Sequence, residues 1–399
     1  MTGIKLLRMC QNYTKNYYEI IMKKKLKIAY YCSSRTIFPP PNNIITANAD
    51  IMHEIVKAMI EKGHNVTIYA SKGSSMKKAK IVDLGLPPHK LDHAYLSEEW
   101  VKDLHNAYRI TYISELINNS NKYDIIHFHV GRPIFGEPFI KFAKCPIIFT
   151  IHENFVPSFG LLMNFFKRSK LISISNAQRK TFPSLNYIAT IYHGVHVENY
   201  PFNLNPKRNC IFLNRVSKEK GVEFAIKAAQ ESKIKLDIYG PGNKNYLKKF
   251  VFPYLNKNIS YNGMVKKYSK KWYKAYSEAK ALLVPIQWNE PFGLVMIEAM
   301  ACGTPVIAFK RGSVPEVIVN GKTGFIVDPF DKKNRPNIEG LVRAIKKIYQ
   351  MPEAEYKKMC YNCRKHVEKN FTIEKMVDGY EKVYYKILNV IKNKKPVKS

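Results

Sequence analysis

Short apolar runs alternate with helical patterns from residue 26 to about residue 350, and this alternation constrains the fold more than any other feature. Runs such as 26–32 and 210–216 have the length of buried strands, and the segments between runs carry apolar residues at helical spacing. Strands that alternate with helices are typical of βαβ units, whose strands are parallel. The pattern therefore predicts an α/β protein built from doubly wound parallel sheets.

The length predicts two such sheets, because 399 residues exceed what one ordinary hydrophobic core requires. The segment 197–208 is polar, contains two prolines and has no period, which is typical of a linker. We therefore predict five parts. They are an N-terminal extension (1–24), a Rossmann-like acceptor domain (25–196), the linker (197–208), a Rossmann-like donor-binding domain (209–370) and a C-terminal helix with a basic tail (371–399) that packs back toward the first domain.

The chain is strongly basic, with 65 Lys and Arg against 31 Asp and Glu and a net charge of +34. Such an excess concerns partners and solubility rather than fold. We favour a general over-use of lysine as its cause, because the lysine pairs are scattered along the chain. No nucleic-acid-reading motif is present, so we expect no specific nucleic-acid partner. A peripheral contact with anionic lipid stays open as an alternative.

The sequence predicts no membrane span and no zinc site. The uncharged run 154–166 has 13 residues, short of the ~20 that a helix needs to cross a bilayer. Seven scattered cysteines include one Cys-x-x-Cys pair, Cys360 and Cys363, with no second pair at zinc spacing. Scattered cysteines in odd number are typical of a reducing compartment. We expect a cytoplasmic protein, with a peripheral position at the inner membrane face as the open alternative.

The segment 285–305 carries a strand end, a loop and the start of a helix. We expect this helix to open around Pro291, because proline suits the first helical turn. The backbone amides of Phe292, Gly293 and Leu294 would then be free to bind an anion at the helix N-terminus. Glycine also lets a ligand approach the backbone closely.

Two carboxylates belong to the same segment: Glu290 stands before the expected helix and Glu298 two turns inside it. Eight helical steps return to within ~80° of the same direction, so both side chains can line one ligand. A carboxylate accepts several hydrogen bonds and suits sugar hydroxyls. The alternative is a solvated acid pair, which the apolar neighbours of Glu298 disfavour.

Two cations, Arg215 and Lys220, stand at the end of the first strand of the second half and at the start of the next helix. Ligands of doubly wound sheets bind beyond the carboxyl ends of the strands. A guanidinium and an ammonium at that edge could neutralise a diphosphate. No Asp-x-Asp occurs in the chain, so we expect no metal ion to anchor the diphosphate.

Together these segments resemble glycosyltransferase family 4, the group 1 family of retaining, nucleotide-sugar-dependent enzymes. The E-x7-E signature of the family is matched by Glu290 and Glu298. Its Gly-Arg…Glu-Lys-Gly segment is matched by Arg215 and 219–221, with Asn214 in place of the usual glycine. The resemblance covers about residues 26 to 390 and is looser in the first half.

The resemblance implies the GT-B fold, in which two Rossmann-like domains with parallel sheets face a central cleft. It implies transfer of a hexose-type sugar from a nucleoside-diphosphate sugar to a hydroxyl acceptor, with retention of configuration. The acceptor could be a glycan, a lipid or a small molecule. No cofactor and no metal are implied beyond the donor itself. A nucleotide-sugar epimerase or a phosphorylase on the same fold is the alternative, and a basic nucleic-acid-binding protein is a remote one.

The resemblance also implies roles for the donor-binding residues. Arg215 and Lys220 would hold the diphosphate, and Glu298 would bind the ribose hydroxyls. Glu290, with the amides of residues 292–294, would hold the transferred sugar and the nearby phosphate, and we expect it to be catalytic.

In the first half, His152 matches the family histidine near the reacting centre and is the second expected catalytic residue. His127 and His129 are expected to be packing residues instead. The Gly-Gly loop of the family is replaced by a Pro-Pro-Pro-Asn-Asn segment here. Asn42 and Asn43 are therefore only candidate contacts to a phosphate or an acceptor.

Overall fold

The computed structural model describes residues 24–31, 33–41, 46–88, 97–130, 135–164, 169–207 and 209–393. Most of the expected extension 1–24, the loop residues Asn42 and Asn43, and the end of the basic tail lie outside the described residues. Within the described ranges the chain forms two parallel sheets, one on each side of segment 197–208. The exact domain boundaries stay a prediction.

The N-terminal sheet has seven parallel strands in the order β3-β2-β1-β4-β5-β6-β7. This order reverses between β1 and β4, which creates a switch point where neighbouring crossovers diverge. The strands are β1 (Lys27–Tyr31), β2 (Asn65–Tyr69), β3 (Ala79–Val82), β4 (Ile125–Val130), β5 (Ile147–Ile151), β6 (Lys170–Ser173) and β7 (Tyr187–Thr190). The helices are α1 (Ala47–Glu61), α2 (Glu98–Asn118), α3 (Pro157–Met163) and α4 (Asn176–Arg179).

The C-terminal sheet has six parallel strands in the order β10-β9-β8-β11-β12-β13, with its switch point between β8 and β11. The strands are β8 (Asn209–Leu213), β9 (Lys235–Tyr239), β10 (Ile259–Tyr261), β11 (Ala281–Val284), β12 (Val306–Phe309) and β13 (Gly324–Val327). The helices are α5 (Val222–Ser232), α6 (Lys244–Phe250), α7 (Lys270–Ser277), α8 (Leu294–Ala301), α9 (Val314–Val317), α10 (Ile338–Gln350) and α11 (Glu353–Asn370).

Both sheets are covered on both faces, which explains why their strands read as nearly continuous apolar runs. All four residues of β11 and all four of β12 are buried, with alternate side chains in two separate apolar clusters. Cys360 and Cys363 lie on α11 and are buried against the C-terminal sheet. In the described part of the chain, no helix is both long and apolar enough to cross a membrane.

The last helix, α12 (Ile373–Asn393), leaves the C-terminal sheet and packs on α1 of the first domain. Its apolar residues join the core cluster of the N-terminal sheet. The Tyr384 hydroxyl is 3.0 Å from the Tyr30 hydroxyl and 2.6 Å from His127 Nδ1, inside that core. The crossing of α12 therefore ties the two halves of the chain together beside the linker.

Candidate active site

The two domains meet across a cleft in which side chains of one domain bind groups of the other. Lys267 Nζ of the C-terminal domain is 2.9 Å from Asp50 Oδ2 on α1. The carboxylate of Glu316 accepts the backbone N–H groups of Asn176 and Ala177, at 2.8 and 2.6 Å, at the start of α4. A charge-assisted bond at a helix start also uses the helix dipole.

A lysine and a glutamate form the centre of the candidate site. Lys220 ends a short 3₁₀ turn after β8, and Glu290 lies in the loop after β11, the strand next to β8 in the sheet. Their side chains form an ion pair, Nζ to Oε2, at 2.7 Å, and are only 10% and 12% exposed. The N–H of Gln287 donates to the carbonyl of Glu219 at 2.8 Å and joins the two loops. The pair thus lies at the switch point, where doubly wound sheets bind ligands.

Trp288 holds the same carboxylate from a second side. Its indole Nε1–H donates to Glu290 Oε2 at 3.1 Å, and Lys220 Nζ lies 4.9 Å from the centre of its ring. Oε2 of Glu290 therefore has two donors. No described residue donates to Oε1, so this oxygen is free to accept a hydrogen bond from a ligand.

The backbone of Glu290 is fixed by the turn after β12. Gly312 has a φ of +55°, and a Cβ at that position would be 2.2 Å from the Glu290 carbonyl oxygen. Only glycine allows this approach without strain. Ser313 then donates its N–H to the Glu290 carbonyl at 2.9 Å and its hydroxyl to the Phe292 carbonyl at 2.7 Å.

The helix expected to open around Pro291 begins only at Leu294, so that expectation is wrong by about one turn. The reason is that Phe292 is buried against aromatic rings, including His193 at 5.1 Å, and this packing keeps the chain out of the helix up to Gly293. Gly293 then starts the helix with a φ of +85°. Within the described ranges, no backbone carbonyl accepts the N–H groups of residues 292–294. That these amides bind the phosphate of a sugar donor stays a prediction.

Glu298 lies on α8 and faces a cavity of about 470 Å³ between the domains. Its Oε2 accepts a hydrogen bond of 2.8 Å from the hydroxyl of Tyr276, while Oε1 has no donor among the described residues. Burial raises the pKa of the Glu298 carboxyl, although Lys267 and Tyr276 oppose the shift. Residues of both domains surround the cavity, among them Asp50, Glu54, His196, Lys267, Tyr268, Leu294 and Glu298.

Arg215 is not part of the buried pair. Its side chain is 62% exposed and lies 3.3 Å from Glu219, in the same loop. Lys220, Glu290 and Trp288 are in contact with one another, and Glu298 lies further along the helix that Gly293 starts. The structure thus brings three groups together, with Glu298 in the adjoining cavity and Arg215 at the surface.

His152 follows β5 and belongs to a cluster of histidines next to Phe292. Its Nε2 is 3.2 Å from His129 Nδ1, and its ring stacks on His193 at 5.4 Å. Burial lowers the pKa of His152 to about 3 and those of His129 and His193 well below their ordinary value. No three His, Cys, Asp or Glu side chains of the described residues are arranged to hold a metal ion.

The two histidines expected to be packing residues are fully buried, but they also make polar contacts. His127 Nε2 is 2.8 Å from the Thr150 hydroxyl, and its other nitrogen contacts Tyr384. His129 holds His152 through Nδ1, while its Nε2 has no hydrogen-bond partner within the described chain. His129 therefore fixes the orientation of His152 besides filling space.

Three residues of the site were not expected from the sequence: Trp288, Tyr276 and Lys267. Trp288 lies in the irregular loop after β11, where no local period shows the direction of its side chain. Tyr276 and Lys267 come from other elements, and only the folded chain brings them to Glu298.

Comparison with known proteins identifies the family of the chain. The model of Glycosyltransferase Family 4 matches residues 50–209, and the model of Glycosyl transferases group 1 matches residues 200–366. An uncharacterized glycosyltransferase of Methanocaldococcus jannaschii is 28% identical over 294 residues, which are 70% of this chain and 79% of that protein. The chain therefore belongs to the family 4, or group 1, glycosyltransferases.

Solved structures show the same fold at low sequence identity. A sucrose-phosphate synthase from Thermosynechococcus elongatus superposes with a TM-score of 0.73 at 17% identity, covering 92% of this chain and 100% of that chain. HepE of Anabaena, in complex with UDP and glucose, has a TM-score of 0.69 at 15% identity and covers 90% and 99% of the two chains. The expected GT-B architecture, two Rossmann-like parallel sheets, is confirmed.

Proposed function

We propose that this glycosyltransferase moves a hexose-type sugar from a nucleoside-diphosphate sugar to a hydroxyl acceptor, with retention of configuration and without a metal ion. One observation carries the proposal. Glu290 is held by Lys220 and Trp288 through one carboxylate oxygen, and its other oxygen is free at the switch point of the donor-side sheet. A carboxylate fixed in this way suits the hydroxyls of a sugar.

Positive groups near this carboxylate are suited to the charge of a diphosphate. Lys220 has three N–H donors, of which Glu290 takes one, so two remain for phosphate oxygens. The first amides of α8 carry the positive end of the helix dipole. Arg215 is exposed beside this loop and can turn toward a bound phosphate. These groups would supply the charge that a divalent ion supplies in other sites.

The transfer balances without a protein nucleophile. The bond between the anomeric carbon and the leaving phosphate oxygen breaks while the acceptor oxygen attacks from the same face. The acceptor proton passes to the leaving phosphate oxygen, and the nucleoside diphosphate departs. Stabilisation of the leaving diphosphate by Lys220 and the helix start lowers the barrier, since its charge grows as the bond breaks. Glu290 and His152 would hold the sugar that is being transferred.

The nucleoside end of the donor would lie in the cavity beside Glu298. The free Oε1 of this buried carboxylate can accept ribose hydroxyls, and Tyr276 holds the other oxygen. HepE of Anabaena binds UDP on the same fold, which supports a nucleotide in this cleft. The base and the sugar of the donor stay open.

The test is a screen of the purified full chain against a panel of nucleotide sugars, with released nucleoside diphosphate as the signal. We expect release from at least one donor, undiminished by a chelator, and an added acceptor hydroxyl should accelerate it. Product NMR should show the anomeric configuration of the donor. An inverted product, or release that the chelator abolishes, would contradict the proposal.

Glu290→Gln is the matched variant, because it keeps the size of the side chain and removes its charge. We expect turnover to fall by about a hundredfold, as for the loss of one preorganised electrostatic group. The melting temperature should stay close to that of the unchanged protein, and near-normal turnover would refute the role of Glu290. Turnover of the sugar nucleotide without any transfer would instead indicate an epimerase.

A further inference from the structure

The uncharged run 154–166 has no role in the transfer, yet the structure places its described part, residues 154–164, beside the cleft. Helix α3 begins five residues after His152. The side-chain amide of Asn154 donates to the backbone carbonyl of Asn289 in the other domain, next to Glu290. The run therefore forms part of the N-terminal rim of the cleft.

This rim presents large apolar side chains outward. Leu161 is 67% exposed, Val156 52% and Leu162 40%. The inner side of α3 is already packed, since Met163 is fully buried and a Cβ on Gly160 would clash with the ring of Phe182. Single exposed apolar side chains are common on protein surfaces, but three within seven residues form a cluster, and exposed apolar clusters mark interaction sites. We call Val156, Leu161 and Leu162 the apolar rim.

The chain around the apolar rim is basic. Residues 125–197 contain eight Lys or Arg and two Glu. One of the two, Glu137, is buried, and burial raises its pKa to about 9, so it carries no charge at neutral pH. Exposed lysines of the same layer include Lys141 and Lys180. Lys141 lies over the ring of Phe142, which is itself 58% exposed.

Among the described residues of the N-terminal domain, the exposed large apolar side chains of the helices and turns lie on one side. The elements with outward apolar residues, α2, α3 and the turn at Glu137–Phe142, pack into one cluster on one face of the sheet. On the other face, no large apolar side chain of the described parts of α1 and α12 is exposed. Helix α2 carries the exposed acids Glu99 and Asp103, but residues 125–197, which contain the apolar rim, carry eight Lys or Arg against two Glu. Apolar tips beside such a basic segment complement an anionic lipid surface rather than an acidic, uniformly polar partner.

We propose that the apolar rim docks the protein on the surface of an anionic lipid bilayer. Val156, Leu161 and Leu162 enter the boundary between headgroups and acyl chains, while the neighbouring lysines bind anionic headgroups. This attachment needs no membrane-spanning helix. Docking brings the mouth of the cleft, at Asn154 and His152, to the bilayer surface.

The test measures co-sedimentation of the full chain with vesicles of phosphatidylcholine alone and of phosphatidylcholine with phosphatidylglycerol. The double variant Leu161→Ser/Leu162→Ser removes most of the apolar rim without a change of charge. We expect its partition onto the mixed vesicles to fall about tenfold or more, because most of the buried apolar area is lost. Leu255→Ser/Met264→Ser is the control, since these C-terminal-domain side chains are also exposed, by 38% and 45%, and its partition should not change.

Salt separates the two contributions, because it screens lysine–headgroup attraction but leaves apolar insertion in place. Residual binding of the unchanged chain at high salt, lost in the rim variant, supports the proposal. Equal binding of the rim variant and the unchanged chain would overturn it and assign the attraction to general lysine charge, and so would the absence of binding to mixed vesicles. Binding of a nucleoside diphosphate should be the same in both chains, so failure here leaves the proposed transfer unaffected.

Discussion

The replacement Trp288→Phe tests how the site holds its carboxylate. Phenylalanine keeps an aromatic ring beside Lys220 and removes the indole N–H that donates to Glu290 Oε2 at 3.1 Å. A hydrogen bond to a charged group contributes about 1.5–3 kcal/mol. Because Lys220 still holds the same oxygen at 2.7 Å, we expect the lower end of this range, about 1.5 kcal/mol. If the loss is confined to the transition state, turnover falls roughly tenfold.

The assay is kcat for release of nucleoside diphosphate from the donor that the screen identifies, together with the Kd of the free nucleoside diphosphate by calorimetry. A positioning role of Trp288 lowers kcat and leaves this Kd unchanged, since the free diphosphate lacks the sugar that Glu290 is proposed to hold. Trp100→Phe is the control, because Trp100 lies exposed on α2. Unchanged kcat in Trp288→Phe would refute the reasoning, and parallel losses of kcat, Kd and melting temperature would reduce Trp288 to a structural role.

Further predictions concern the groups around this pair. Gly312→Ala should lower kcat strongly, because its Cβ would be 2.2 Å from the Glu290 carbonyl oxygen at a φ of +55°; full activity of a folded variant would contradict this. Burial raises the pKa of Glu298, so its carboxylate is lost on acidification at a higher pH than for an exposed glutamate. Calorimetry at a series of pH values should therefore show the affinity for the nucleoside diphosphate falling at a higher pH than an exposed glutamate would give. Glu298→Gln should abolish this pH dependence, and an identical pH profile in the variant would contradict the role of Glu298. Burial lowers the pKa of His152 to about 3, so its ring NMR signals should not titrate between roughly pH 5 and pH 8, whereas a midpoint near 6.5 would disprove this.

Much of the α/β fold is predictable because buried parallel strands are apolar on both faces. The run 26–32 contains β1 (Lys27–Tyr31), and the run 210–216 contains most of β8 (Asn209–Leu213). Strand β3 (Ala79–Val82) was not expected, since it is an edge strand with no fully buried residue and carries a lysine. Helix α2 was also missed, because its buried residues lie toward its C-terminal end among many polar ones.

The start of α8 could not be predicted from local preferences. Proline at position 291 favours the first turn of a helix, but the burial of Phe292 against His193 outweighs that preference. Burial of an aromatic side chain contributes more to the free energy of folding than the helix preference of one residue does. Tertiary packing thus decided where the helix begins.

The candidate site was predictable in its residue types but not in its pairing. Glu290 and Lys220 stand out through their positions after strands, and Glu298 stands out as an acid among apolar residues two turns further on. That Lys220 binds Glu290 depends on β8 and β11 being neighbours in the sheet, which no local pattern reveals. Arg215 also follows β8, as Lys220 does, but its side chain is exposed and contacts Glu219 in the same loop.

A calorimetric titration of UDP and other nucleoside diphosphates, in the presence of a chelator, into the unchanged protein and into Lys220→Met addresses the main claim directly. The variant keeps the length of the side chain and removes the ammonium. We expect saturable binding of at least one nucleoside diphosphate to the unchanged protein and an affinity at least about tenfold lower in the variant. Equal affinity in both proteins, or no binding until a divalent ion is added, would contradict a diphosphate site built on this lysine.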